Sequence, residues 1–228
     1  MNDSFQVIGC DFGGSARAGE QAKKIILIEA TWSGDGVYRV SGEGRNGRLV
    51  RELNSTHWRE RRRGWTADEL VVSLHAGNAV RVAAFDFPFS IPLELLQSEA
   101  FAAAVNQPIF GTRSRWSKFV SQTLPLRFNS TNASGQLEGL QTFHPWRARE
   151  NWIKRQTDIA ARSQPSLKDL YQSTFNMTLV GNAVLSELQS SGLKPLLNPF
   201  RRTNEQRYSI EAYPGAAARS IGFSGAYK

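Results

Sequence analysis

The sequence predicts an α/β fold, a mixed sheet covered by helices, and three observations carry that expectation. The chain opens with three apolar runs separated by turn signals. A capped helix then feeds a fourth apolar run, and a fifth run near residue 210 leads into helix-forming residues.

Phe5 to Asp11 (FQVIGCD) is a short apolar run stopped by Gly13 and Gly14, the pattern of a buried strand entering a tight turn. Lys24 to Trp32 (KIILIEATW) reads as its hairpin partner across the small polar loop GGSARAGEQA. Val37 to Ser41 is a third strand, set off by the turn Ser33-Gly34-Asp35-Gly36. Thr66-Ala67-Asp68-Glu69 is a capping box in which the Thr66 hydroxyl and the Glu69 carboxylate satisfy each other's amides, so a helix starts there and stops near Gly77. Val80 to Phe87 (VRVAAFDF) is the fourth strand, closed by Pro88, which has no amide to donate to a ladder.

From about residue 94 to 200 the alternation disappears, and the expectation is a mainly helical insertion between strands four and five. Within it, Leu170, Tyr171, Val180, Val184, Leu185 and Leu188 suggest an amphipathic helix over Ser166 to Gly192, interrupted near Gly181. Arg207 to Tyr213 (RYSIEAY) is the fifth strand; Pro214 ends it, and a helix begins over Ala216 to Ile221.

The 228 residues, 40% hydrophobic and 21% charged, suit a folded chain with a proper core and exclude a disordered one. A single domain over residues 1–228 is the simplest organisation. The net charge of +8 favours anionic partners such as nucleic acid or phosphorylated metabolites. One cysteine, Cys10, excludes an internal disulfide framework and suits a reducing compartment. With no leader-like start and no long apolar span, a soluble cytoplasmic protein without membrane partners is expected.

Three acids end or interrupt apolar strand runs: Asp11 in VIGCDFGGS, Asp86 in AAFDFPFSIP and Glu211 in SIEAYPGAAAR. Two like charges about 4 Å apart repel by roughly 4 kcal/mol at an effective dielectric of 20, so converging carboxylates need protons or a cation. Mg²⁺ or Mn²⁺ suits such oxygen ligands. Each acid also has a structural alternative. Asp11 and Asp86 can cap turns, and Glu211 can pair with Arg207 or Arg219.

The phrases GCDFGGS, AFDFPFSIP and IEAYPGAAAR resemble, in that order, motifs of the predicted RNase H-like nucleases grouped as domain of unknown function 429. The most specific is DxPxxxP, Asp86 through Pro92. The resemblance implies a five-stranded RNase H-like sheet bringing Asp11, Asp86 and Glu211 together as catalytic residues and metal ligands. It implies Mg²⁺- or Mn²⁺-dependent hydrolysis of phosphodiester bonds in DNA or RNA. The wider fold commonly has a further acid on a late helix, and Asp169 is the candidate substitute, its alternative being a solvated helix-start acid.

Asp11-Phe12-Gly13-Gly14-Ser15 also resembles the first phosphate loop of sugar kinases and actin-like ATPases. In that reading Gly13, Gly14 and Ser15 bind phosphate. No second phosphate loop follows, so this ranks below the nuclease. A third reading is a noncatalytic nucleic-acid-binding module. Arg59, Arg61, Arg62 and Arg63, between Trp58 and Trp65, and Arg113 and Arg115 beside Trp116, combine phosphate-pairing cations with stacking rings. The alternative for both patches is solvated surface. His57, His75 and His144 have no metal-ligand spacing, and Cys10 reads as a buried strand residue.

Overall fold

The structure is a computed structural model. It describes residues 5–14, 25–32, 38–43, 50–52, 66–76, 80–106, 108–110, 113–124, 126, 138–169, 174–190, 192–195, 207–220 and 222.

Seven strands form one open sheet in the order β4-β3-β2-β1-β5-β7-β6. They are β1 (Phe5–Asp11), β2 (Ile26–Trp32), β3 (Tyr38–Glu43), β4 (Val50–Glu52), β5 (Val80–Phe85), β6 (Lys194–Pro195) and β7 (Tyr208–Glu211). The centre is three parallel strands, β1, β5 and β7. To one side β2, β3 and β4 continue β1 as an antiparallel meander, and to the other β6 runs parallel to β7.

The helices include α1 (Ala67–Ala76), α2 (Leu93–Leu96), α3 (Glu99–Ala104), α4 (Arg113–Thr123), α5 (Gln156–Ala160), α6 (Phe175–Ser190) and α7 (Pro214–Ser220). The Thr66 capping box forms as its residues dictate. The Thr66 amide donates to Glu69 Oε2 at 2.9 Å, and the Glu69 amide donates to Thr66 Oγ1 at 3.2 Å. Helix α6 is the hub on which α1 and α4 pack. Its Leu179, Val180, Ala183, Val184, Leu185 and Leu188 are buried almost completely.

The five-stranded RNase H-like sheet, with its helical insertion between strands four and five, is not what the chain builds. The sheet has seven strands around a three-stranded parallel centre, and β6 falls inside the stretch expected to be helical. Strands of three and two residues carry too few positions for alternation to register, and Pro195, lacking a donor, fits an edge. Gly181 does not interrupt α6, which starts at Phe175 and runs straight through it. A Cβ on Gly181 would sit 2.3 Å from the Phe87 ring, so the glycine admits that ring to the helix surface.

Among the described residues, no helix is long and apolar enough to cross a membrane.

Candidate active site

In a parallel sheet all strands end on the same side, and ligands characteristically bind beyond their carboxyl ends. Asp11 is the last residue of β1. Asp86 follows the last residue of β5, and Glu211 is the last residue of β7. The register puts Cys10 level with Phe85, and the Asp86 amide donates to the Cys10 carbonyl at 2.9 Å, so Asp11 and Asp86 leave neighbouring strands side by side.

The residue after each acid locks this arrangement. Phe12 and Phe87 are buried, with ring centroids 4.8 Å apart, and Phe87 continues onto Gly181 of α6. Gly14 presses so closely on α6 that a Cβ there would lie 2.0 Å from the Met177 amide nitrogen. Both loops are thereby anchored to one helix. After Asp86, Pro88 is buried, its carbonyl accepting from Asn182 Nδ2 at 3.0 Å. The Ser90 hydroxyl donates to the Ile91 carbonyl, which shapes the turn before Pro92.

Among the described residues, neither the Asp11 nor the Asp86 carboxylate makes a hydrogen bond or ion pair. Burial, the Asp11 charge and the Glu211 charge together push the Asp86 pKa up to about 6. Asp11 reaches solvent more freely, yet surrounding protein strips enough water to raise its pKa as well. Cys10, buried beneath them, is raised well above the ordinary thiol range by burial and then by both acids. It is an inert packing residue.

Glu211 sits in a different environment. Its two oxygens accept from Arg155 Nη1 at 3.0 Å and from Arg155 Nη2, from the Tyr213 hydroxyl, and from the Phe89 amide at 3.1 Å. Arg155 also grips Asp158, through Nε at 3.0 Å and Nη2 at 2.6 Å, and Asp158 is fully buried. Burial alone would lower the Arg155 pKa, but its bonds to Asp158 and Glu211 carry it well above its ordinary value. Burial and the Glu211 charge likewise raise Tyr213. Glu211 therefore anchors the Phe89 loop from below and meets Asp86 mainly through its field.

The structural alternative for Glu211 was a pairing with Arg207 or Arg219, and neither is among its partners. Instead Arg207 donates to the Leu74 carbonyl and Arg219 to the Ala161 carbonyl. Arg155 and Asp158 went unseen because they lie over fifty residues from Glu211 in a stretch without periodicity. The one local signal was an acid three residues into a short helix, where Asp158 accepts from the Arg155 amide at 3.0 Å. Asp169 pairs with Arg147 at 3.4 Å in the turn before α6.

A cleft of about 360 Å³ opens beside Asp86, walled by Phe87, Pro88, Met177 and the segment from Glu211 to Pro214. Ser15, His57 and the Arg59, Arg61, Arg62 and Arg63 patch lie outside the described residues. Arg113 and Arg115 open α4, where the Arg115 side chain is exposed. His75 Nε2 lies 3.2 Å from the Glu187 carbonyl, and His144 is exposed.

Comparison with family models, with curated proteins and with solved structures finds no match to this chain.

Proposed function

We propose that the chain is a metal-dependent phosphodiester hydrolase acting on nucleic acid, with Asp11 and Asp86 as the residues that hold Mg²⁺ or Mn²⁺. The observation that supports this reading is the side-by-side pair of carboxylates, without partners among the described residues, at adjacent parallel strand ends, with Asp86 lining a cleft.

The donor set fits a hard divalent ion: all oxygen, doubly negative, and held at a cost that a cation removes. No cluster of three or more ligating side chains occurs among the described residues. Asp11 and Asp86 would leave the remaining positions to water and phosphate oxygens, and Mg²⁺ commonly keeps several waters. The ion, when bound, supplies charge neutralisation at the phosphate and a more acidic water.

The rest is the work of the chain. Asp86, desolvated and beside the Asp11 and Glu211 charges, has a pKa of about 6 in the metal-free chain, and a bound cation would favour its carboxylate form. Arg155 neutralises Glu211 and fixes it under the Phe89 amide, which keeps the Asp86 loop from moving. The likeness of the segments around Asp11, Asp86 and Glu211 to nuclease motifs supports the same chemistry.

The test is cleavage of single- and double-stranded DNA and RNA with Mn²⁺ or with EDTA. Wild type should cleave only with the metal, and Asp11→Asn and Asp86→Asn should each lose at least a hundredfold in rate. Equal rates in EDTA, or in both variants, would sink the reading. Anomalous scattering from a Mn²⁺-soaked crystal should place an ion between the two acids.

A further inference from the structure

We propose that Arg162 and Arg219 form a phosphate subsite on the cleft beside Asp86, and that it holds a phosphate of the nucleic-acid strand next to the one being cut. This rests on the hydrolase reading and names how that site grips its substrate.

Helix α5 ends at Ala160, and the chain leaves it through a closed turn. The Arg162 amide donates to the Ile159 carbonyl at 3.1 Å, and the Ser163 amide to the Asp158 carbonyl at 2.9 Å. Those two bonds make a Schellman cap, in which the residue after the cap takes left-handed backbone. Glycine usually stands there, because a Cβ makes that conformation costly. Here the residue is Arg162, with a φ of 51°. Its surroundings impose the turn, since Asp158 is fully buried and gripped by Arg155. An exposed arginine kept where glycine would suit the backbone better points to work done by its side chain.

The charges of the cleft leave that side chain available. Asp86, Asp158 and Glu211 line it together with Arg162 and Arg219, and Arg155 takes both Asp158 and Glu211. Among the described residues the Arg162 side chain makes no hydrogen bond or ion pair, and Arg219 meets the Ala161 carbonyl at 2.6 Å and no carboxylate. That bond brings the Arg219 guanidinium to the residue before Arg162, so two exposed cations share one wall. Guanidinium forks match the free oxygens of a phosphodiester. Asp86 lines the same cleft, so a strand held by the arginines runs past that carboxylate. A grip on phosphate alone positions the strand without reading its sequence.

The test is fluorescence anisotropy of a labelled single-stranded DNA in EDTA at several salt concentrations, with a thermal melt of each variant. Arg162→Gly removes the guanidinium and suits the left-handed turn. It should bind the strand about tenfold more weakly at low salt, with a shallower salt slope, and melt at or above the wild-type temperature. Arg219→Gln should weaken binding at least threefold. Arg149→Ala removes the same charge from an exposed position off the cleft and should change affinity less than twofold. For cleavage in Mn²⁺, Arg162→Gly should raise KM about as much as it weakens binding and leave kcat within about twofold, because the arginine does not touch the reacting phosphate.

Strand binding that either cleft variant leaves unchanged, or that Arg149→Ala weakens as much, overturns the proposal. So does an Arg162→Gly protein that melts below wild type, which makes the arginine a residue of the fold. Titration with inorganic phosphate separates a strand from a free anion: if Arg162→Gly weakens the anion and spares the strand, the strand assignment fails. Strand binding that depends on Arg162 in a wild-type protein that cuts nothing keeps the phosphate subsite and rejects the hydrolase.

Discussion

Asp86 carries the clearest consequence at the scale of single residues. An acid whose pKa is raised from 3.8 to about 6 in the folded chain holds its proton more tightly there than when unfolded. Between those two values the unfolded chain has released the proton and the folded chain has not. Stability therefore falls as pH rises through this window and stays lower above it. After allowing for the solvent that reaches this half-buried group, the cost at pH 8 is about 2 kcal/mol. Asp86→Asn removes the titration, and in EDTA it should be more stable than wild type by about that amount at pH 8. Near pH 4 the two should coincide. Urea unfolding at both pH values is the check, and a difference that did not change with pH would rule out this origin. The destabilisation is what the proposed cation relieves, so Mn²⁺ should raise the wild-type melting temperature at pH 8 and leave that of Asp86→Asn nearly unmoved.

Elements turn such residues into a site through a few close approaches, and α6 makes most of them. The Phe87 ring rests on Gly181, where a Cβ would meet three ring carbons at 2.5 Å or less. In an exposed helix, glycine to alanine gains about 1 kcal/mol. Here overpacking of a buried ring costs about 1–3 kcal/mol, and the ring, wedged against Phe12, Phe85 and Phe89, has little room to give. Gly181→Ala should thus destabilise by about 1–2 kcal/mol in chemical denaturation, with the sign opposite to helix propensity. Because Phe87 follows Asp86 directly, cleavage should fall with it. A more stable Gly181→Ala protein would show that the ring moves aside freely. The same element explains what the sequence disclosed and what it withheld. Strands β1 and β5 were legible because each buries apolar residues before an acid, β7 because Tyr208 and Ile210 alternate before Glu211 although the residue it buries is Ser209, and α1 because its capping box is local. Glycine at 181 looked like a helix break because its reason is a ring ninety-four residues earlier in the chain. Arg155 was invisible for the same cause. Its partners Glu211 and Tyr213 come from another strand end, and no spacing encodes an ion pair made only by the fold.

At the scale of the whole molecule, a net charge of +8 surrounds an acidic pair, so the field that gathers a polyanion and the site proposed to act on it have opposite signs. Binding and cleavage should consequently separate. For single-stranded nucleic acid, log affinity should fall linearly with log salt, with a slope of about 0.7 for each phosphate neutralised. Arg162→Ala, on the cleft rim, should flatten that slope by roughly one contact. Asp11→Asn removes a negative charge from beside the bound phosphate. In EDTA it should therefore bind a single strand at least as tightly as wild type, and more so at low salt, where screening over a Debye length of roughly 10 Å at 0.1 M is weakest. Fluorescence anisotropy at several salt concentrations measures both effects. An Asp11→Asn protein that bound the strand more weakly than wild type would place Asp11 in a structural role, because an acid that only repels the metal-free ligand cannot be missed by it.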